Sequence, residues 1–534
     1  MEVDCIAFRE TGYFSELICD YLDDKQELKS FYNRKPDLAN FKGQLEEKAK
    51  NFPVSNRKVL VKALNVQYKE INTSETTFSN ITSLGDKNTF TVVTGHQLNL
   101  FTGPLYFLYK IISTINLTEQ LRQEYSEYNF VPVYWMATED HDFDEINYFN
   151  FRRKKIQWNN NASGGVGRLS TEGLDAVLKV ITNEFGETDN ANYLKTLFQK
   201  AYLEHETLTA ATRYLTNELF GEYGLVIIDG DDADLKRLLI PYAKKDIFEQ
   251  LPYKIVSNSI EELIEVSEAY KIQVNPREIN YFYLKDGLRE RIIQKDGVYY
   301  VNDTVLTFTA EELQLELELH PERFSPNVIA RPLYQEIILP NLCYIGGGGE
   351  LAYWLELRAY FEALHITFPM LLLRNSALII TKKQNEKIEK LDLSVTNLFL
   401  KQNQLINKKI RKISNIDIDF SPQKKLINEQ FADMYKLAEQ TDKSFLGAVK
   451  AQEVKQKKGL DALEKRLLKA QKRKLKDHVL RITELQNQLF PNQSLQERQL
   501  NFSELYLEYG EALISNLMES LKPLKGAFTI HIKK

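Results

Sequence analysis

Three short stretches of this 534-residue chain carry residue types that could do chemistry. The first is Thr94-Gly95-His96-Gln97. An imidazole titrates close to neutrality, so His96 suits general acid–base work or contact with a phosphate, with a helix cap as the alternative. The second, Glu139-Asp140-His141-Asp142, crowds three carboxylates round an imidazole. Like charges this close raise the pKa of one carboxylate, which makes a base or a holder of an amine. A solvated loop has the same composition, and Asp140, His141 and Asp142 match no metal-ligand spacing rule. The third is Gly346-Gly347-Gly348-Gly349 with Glu350 behind it. Successive glycine N–H groups can approach a phosphate at a helix N-terminus. The run lacks the GxGxxG and GxxxxGKS spacings, and Glu350 opposes an anion, so a tight turn competes with phosphate binding. Arg331 and Arg374, at segment edges, are candidate anion clamps.

These groups can meet only if the fold gathers them. Thr89 to Val93 is a β-branched, aromatic run of strand type, broken by a turn at Thr94 to Gln97. Gly103-Pro104 opens a helix, with proline where its missing N–H costs nothing. Leu105 to Tyr125 carries Leu105, Leu108, Ile111, Ile112, Ile115 and Leu121 at helical spacing. Val131 to Met136 is a second strand that ends in the Glu139 to Asp142 cluster. This βαβ unit predicts two parallel strands with a right-handed connection. Ligands bind beyond the carboxyl ends of such strands. One pocket is therefore expected to join Gly95, His96, Gln97, Glu139 to Asp142, Arg331 and the glycine loop.

The rest of the chain divides around this unit. Residues 1–150 hold polar N-terminal helices and the first half of an α/β core, and 151–208 an insertion with its own hairpin and helices. The core continues over 209–275 with a helix at Thr209 to Phe220, a strand at Gly224 to Asp229 and a helix from Ala233 to Glu249. The acidic turn Asp229 to Asp232 reads as a helix cap or as a group on a ribose or amine. A second insertion of short strands fills 276–323. Residues 324–381 return to the core with a strand at Asn341 to Ile345, the glycine loop, a helix from Glu350 to Leu364 and a strand at Phe368 to Leu373. Over 382–490 nearly every residue favours helix, and Leu460, Leu463, Leu467, His478, Ile482, Leu485 and Leu489 step by three and four. That predicts a long helical hairpin with an apolar seam. Residues 491–534 add one amphipathic helix and a strand at Ala527 to Ile532.

Net charge is −5 with 43% hydrophobic residues, which argues against a chain devoted wholly to nucleic acid. Lys443 to Arg481 is dense in lysine and arginine, a solvated coiled-coil face or a nucleic-acid surface. No apolar run approaches the ~20 residues of a membrane span, and no signal peptide is expected from an acidic N-terminus. Three cysteines without CxxC point to a reducing cytoplasm.

Val93-Thr94-Gly95-His96-Gln97, Phe101-Thr102-Gly103-Pro104-Leu105-Tyr106, Thr138 to Glu145, Ala330-Arg331-Pro332-Leu333 with Gln335, and Tyr344-Ile345-Gly346-Gly347 with Gly349-Glu350 together resemble the cysteine-adding enzyme family of bacillithiol biosynthesis. Pro321 to Ser325, Leu489-Phe490-Pro491 and Leu495-Gln496-Glu497-Arg498 extend the resemblance over essentially the whole chain. Two positions depart from the family pattern. Gly348 stands where a proline or similar residue is expected, and Leu373 where proline usually precedes Arg374; neither replaces a side chain with assigned chemistry.

The resemblance implies a Rossmann-like parallel-sheet core related to nucleotidyltransferases and class I aminoacyl-tRNA synthetases, with two insertions, a coiled-coil domain and a homodimer built through it. It implies a cytoplasmic ligase that joins cysteine to glucosaminyl-malate, with ATP as co-substrate, alone or with magnesium. Activation would pass through cysteinyl-adenylate or an acyl phosphate, although the HIGH and KMSKS motifs of related adenylating enzymes are missing. Catalytic candidates are His96, Glu139, Asp140, His141 and Asp142. Binding candidates are Gly95, Gln97, Asn99, Thr102, Gly103, Arg331, Gln335, Gly346, Gly347, Gly348, Gly349, Glu350 and Arg374, with no metal held by the protein. The alternative is a non-catalytic nucleotide- or nucleic-acid-binding protein carrying a basic coiled coil.

Overall fold

A parallel strand covered on both faces has no solvent side, and Thr89–His96 is buried at every residue. In the computed structural model, which describes residues 2–532 and leaves 1, 533 and 534 outside it, this strand is the centre of the molecule. The central sheet contains β1 (Thr89–His96), β2 (Asn129–Met136), β3 (Val226–Asp229), β4 (Asn341–Gly346) and β5 (Met370–Leu373) in the order β5-β4-β1-β2-β3. All four pairings are parallel. The chain builds outward from β1 through β2 to β3, then returns to the other side of β1 for β4 and β5. The strand order therefore reverses between β1 and β4, which is the switch point where such sheets bind ligands.

β1 runs three residues further than its apolar run predicts. Thr94, Gly95 and His96 continue the ladder with Tyr134, Trp135 and Met136 instead of turning. Thr94 satisfies its hydroxyl internally, Oγ1 donating to Ile345 O at 2.7 Å. After β1 the backbone passes through left-handed conformations at Phe101, Thr102 and Gly103 before entering α1 (Tyr106–Glu124). A Cβ on Gly103 would come within 2.5 Å of Asn99 Cβ, so glycine is required there. α1 buries Leu108, Ile111, Ile112, Ile115 and Leu121 against the sheet, as its spacing predicts.

Several elements differ from the reading of the sequence. The expected helix Ala233 to Glu249 is two helices, Ala233–Arg237 and Ile240–Ile247, because Pro241 has no N–H to continue the first. The four glycines are not a loop: Gly346 ends β4, Gly347 is the junction, and Gly348 and Gly349 begin α2 (Gly348–Leu355), followed by a separate helix, Arg358–Ala363. The chain start, read as helical, forms a strand, Glu2–Ile6, antiparallel to Phe528–Ile532, which runs parallel to Ala377–Ile380. Two helices, Phe502–Tyr509 and Ala512–Ser520, stand where one was expected.

The segment after residue 150 forms the hairpin Tyr148–Phe151 with Lys154–Gln157 and the helices Leu174–Phe185 and Asp189–Leu203. Tyr281–Lys285, Leu288–Lys295, Val298–Val301, Thr307–Phe308 and Phe324–Pro326 make an antiparallel sheet. The helical region contains α3 (Gln402–Ile413), α4 (Ser421–Ala438), α5 (Lys443–Lys474), α6 (Lys476–Leu489) and α7 (Gln496–Gln499). α4 and α5 form a hairpin around Phe431, Ala438 and Val449, with Tyr435 bonded to Glu453 and Lys424 to Glu464. The seam from Leu460 to Leu489 is not continuous. A break at Leu475 turns α6 so that Ile482, Leu485 and Leu489 join the main core, while Leu463 is 52% exposed and His478 lies in solvent.

Candidate functional site

Beyond the carboxyl ends of β1, β2 and β4 lies a cleft of about 800 Å³. Gly95, His96, Gln97, Glu139, Asp140, His141, Arg331, Gly347, Gly348, Gly349, Glu350 and Arg374 line it, so the two polar clusters do face one another.

On the switch-point side, charges are buried and hold each other. Lys110, on α1, is 3% exposed; its Nζ donates to Gly95 O at 2.6 Å and pairs with Glu350 Oε2 at 2.6 Å. Glu350 also accepts from Gly347 N at 2.8 Å and from the Tyr344 hydroxyl at 2.7 Å. Burial would raise its carboxyl, but Lys110 and these donors hold it below its usual value. Glu350 thus caps α2 as a permanent anion, and Lys110 offsets it. His96 is buried, packed on Tyr106 and Phe107. Burial, followed by the charges of Lys110 and Arg374, lowers its pKa well below the ordinary value, so the ring is neutral. This corrects the reading of His96 as a turn residue outside the core. Its Nε2 has no hydrogen-bond partner, nor have Arg331 Nη2 and Arg374 Nε. Arg331 otherwise bonds Gln335 Oε1 at 3.1 Å and lies over the Trp135 and Tyr344 rings. Arg374 bonds Asn375 O, Ser376 Oγ and buried Glu497. Buried donors left open in this way need a partner, and here they line a ligand-sized cleft.

On the β2–β3 side, Glu139 shares the buried Lys236 with Asp231. Asp231 takes more of the positive charge: Arg168 Nε and Nη2 meet its two oxygens at 2.7 and 3.0 Å. Asp231 is held below its usual pKa although burial opposes this, because Lys236 and Arg168 flank it. Glu139 is pushed the other way, above the usual carboxylate range, by burial and then by the Asp231 charge against the pull of Lys236. One ionised and one reluctant carboxylate around a shared lysine leave Glu139 able to take up a proton. Asp140 accepts from Gln97 Nε2 at 2.7 Å. Arg289 Nη1 lies 2.6 Å from His141 Nδ1, and since arginine can only donate, Nδ1 is the acceptor.

Six expected site residues do not line the cleft. Asp142 caps the short helix Phe143–Ile146, accepting from Glu145 N at 3.3 Å. Asn99, Thr102 and Gly103 shape the left-handed passage before α1; Asn99 Nδ2 donates to Glu145 O and Gly103 O accepts from Asn501. Gln335 is fully buried between Arg331 and Glu336. Gly346 belongs to the β4 ladder. The acidic turn at Asp229 resolves mainly into structure, with Asp232 capping the next helix through Leu235 N.

Reading the sequence missed Lys110, Lys236, Arg277, Arg289, Arg291 and Arg498, of which all but Lys236 line the cleft. Lys110 had a visible signal, a single lysine inside the apolar run Tyr106 to Ser113. Arg277, Arg289 and Arg291 had none, because the loop that carries the first and the strand Leu288–Lys295 that carries the other two reach the cleft only through tertiary folding.

An all-parallel sheet with a cation-lined cleft at its switch point defines a Rossmann-like ligand-binding protein. The family models described as "Bacillithiol biosynthesis BshC, N-terminal Rossmann-like domain" and "Bacillithiol biosynthesis BshC, C-terminal coiled-coil domain" match residues 1–375 and 377–532, and the chain belongs to this family. It is 61% identical over 534 residues to the "Putative cysteine ligase BshC" of Christiangramia forsetii, covering 99% of each chain. Proteins of the same name from Flavobacterium johnsoniae and Bacillus cereus are 60% and 28% identical, over 99% and 97% of this chain and 99% and 98% of their own. By structure, a chain titled "putative arginyl t-RNA synthetase" from Campylobacter jejuni aligns over 85% of this chain and all of its own with TM-score 0.22 and 12% identity, too slight a likeness to bear on fold or function.

Proposed function

We propose that this protein is the cysteine ligase of bacillithiol biosynthesis, forming an amide between the cysteine carboxylate and the glucosamine amine of glucosaminyl-malate, with ATP as co-substrate. The observation that carries the chemistry is the set of unpartnered groups at the switch point, His96 Nε2, Arg331 Nη2 and Arg374 Nε, opposite a carboxylate reluctant to ionise. Gly95 and Gly347 stand beside these two guanidiniums, since a Cβ on Gly95 would lie 4.0 Å from Arg331 Nη1 and one on Gly347 3.8 Å from Arg374 Nε.

A free carboxylate does not acylate an amine unaided. A cysteine carboxylate oxygen attacks a phosphorus of ATP and expels pyrophosphate, giving cysteinyl-adenylate, or ADP, giving an acyl phosphate. The glucosamine amine then attacks the activated carbonyl, expels AMP or phosphate, and loses one proton. Arg331, Arg374 and neutral His96, as its Nε2–H tautomer, stabilise charge on the phosphoryl oxygens. Glu139 accepts the amine proton, a role its raised pKa suits. Asp142 is no longer a candidate for that role, since it caps a helix. Magnesium would be carried on the phosphates.

We also place the protein in the cytoplasm as a homodimer. Among the described residues no helix is long and apolar enough to cross a membrane, and the three cysteines are free thiols. Leu426, Leu437, Phe445, Leu446 and Leu463 on the α4–α5 hairpin are exposed, an apolar face that a second copy would cover. Thiol profiling of cells lacking the gene tests the function: bacillithiol disappears and glucosaminyl-malate accumulates. Unchanged thiols would remove the proposal and leave the non-catalytic reading.

A further inference from the structure

The C-terminal region reaches into the cleft at one point. Gln496 to Asn501, α7 and the two residues after it, is fastened to the rest of the molecule almost throughout. Gln496 receives a hydrogen bond from Ile379 N at 3.0 Å and returns one to Ile379 O at 3.1 Å. Glu497, fully buried, accepts from Arg374 Nη2 at 2.8 Å, Ser376 Oγ at 3.0 Å and Ala377 N at 3.0 Å. Gln499 O accepts from Asn150 Nδ2 at 3.2 Å, and Leu500 O from Leu105 N at 2.7 Å. Asn501 Nδ2 donates to Phe101 O and Gly103 O, both at 2.7 Å. Arg498 is the exception. Its side chain is exposed, makes no hydrogen bond or ion pair among the described residues, and lines the cleft.

A backbone pinned on both sides fixes the point from which the unengaged guanidinium reaches into the cleft, so a ligand has only the side chain left to order. Its neighbour in the cleft is Arg374, tied to the same segment through Glu497, with its own Nε unpartnered and buried. Both charges act on the Tyr106 phenol, which burial raises and Arg374 and Arg498 pull back. We propose that Arg498 is an oxyanion-binding residue of this cleft, supplied by the C-terminal region and beside Arg374, that takes a phosphoryl or carboxylate oxygen of the bound ligand. Which ligands enter rests on the function proposed above: the phosphates of ATP or the carboxylates of glucosaminyl-malate share this chemistry.

Titration calorimetry on the full chain, with ATP and with glucosaminyl-malate separately, tests the assignment in the wild type, Arg498→Gln and Arg498→Lys. Loss of a charge-assisted hydrogen bond should weaken the ligand that Arg498 holds by about tenfold or more. The other ligand should stay within about twofold, and Arg498→Lys should recover part of the loss because it keeps the charge. The melting temperature should not move, since the side chain packs on nothing. If the wild type binds neither ligand, the proposed function fails, and pyrophosphate and malate then probe Arg498 by themselves. The assignment is overturned if Arg498→Gln binds every probe as tightly as the wild type. It is also overturned if the loss comes with a lowered melting temperature, or if the wild type binds none of the four.

Discussion

Two buried lysines stand on opposite sides of the cleft, Lys110 in its wall and Lys236 behind Glu139, and their surroundings make them opposites. Lys110 meets one carboxylate, Glu350, which also takes an amide N–H and a phenol, so that carboxylate is held below its usual pKa. Lys236 meets two, and Asp231, which alone has Arg168 as well, holds the negative charge while Glu139 resists ionisation. The difference lies in how many cations each carboxylate has to itself. The same residue types therefore build a fixed helix cap at the switch point and a proton acceptor across from it.

The strongest break in this contrast comes from Glu139→Gln, which keeps an acceptor for Lys236 but cannot take a proton. Turnover should fall by ~10²–10⁴ with the fold intact. The pH dependence has a definite sign. Activity needs Glu139 ionised, so the wild-type rate should climb with pH through an inflection above the usual carboxylate range, and a pH–rate profile of any residual activity in Glu139→Gln should lack that limb. Stability runs the other way. A carboxyl whose folded pKa is raised favours the native state at low pH, so Glu139's contribution should be lost as pH rises from its unfolded toward its folded pKa. Denaturation curves of wild type and Glu139→Gln should accordingly diverge over that window, the variant losing less.

On the switch-point side, His96→Phe fills the space against Tyr106 and Phe107 but removes Nε2. Loss of one transition-state donor should cost ~10²–10³ in rate with little change in melting temperature. His96→Ala is a poorer probe, because the buried ring leaves a cavity and stability falls as well. Lys110→Met sharpens the contrast from the other direction. It strands the Glu350 carboxylate and should cost about 3 kcal/mol of stability, the low end for a broken buried pair because Glu350 keeps some access to water. Urea unfolding reads that loss, and a value near zero would mean that Lys110 does not balance Glu350.

The β1–α1–β2 unit was legible because its signals are local: a β-branched run, a helical period and a second apolar run. The end of β1 was not, since Thr94 to His96 read as a turn by type and become strand only because Tyr134, Trp135 and Met136 lie alongside to pair with them, with Ile345 beside Thr94 on the other edge. The glycine run misled for a related reason. It looks like a flexible loop, yet Glu350 folds back on Gly347 N and draws Gly348 and Gly349 into a helix. The strand Glu2–Ile6 was invisible because its partner, Phe528–Ile532, lies at the far end of the chain. Of the site, the sequence displayed His96, Glu139, Arg331, Arg374 and the glycines, whereas Lys236, Arg277, Arg289, Arg291 and Arg498 depended on topology. Glu139 and Glu350 are both buried, and what separates them is the number of cations and donors each has to itself, which no local pattern reports.

Reconstitution in vitro reaches the central claim most directly. Purified protein is incubated with cysteine, glucosaminyl-malate and ATP, and thiol product and nucleotide products are quantified together by mass spectrometry. The cleft described above predicts one amide formed per ATP cleaved, with both products lost together in Glu139→Gln and His96→Phe. Amide formation that proceeds without nucleotide cleavage, or at the wild-type rate in both variants, would contradict it.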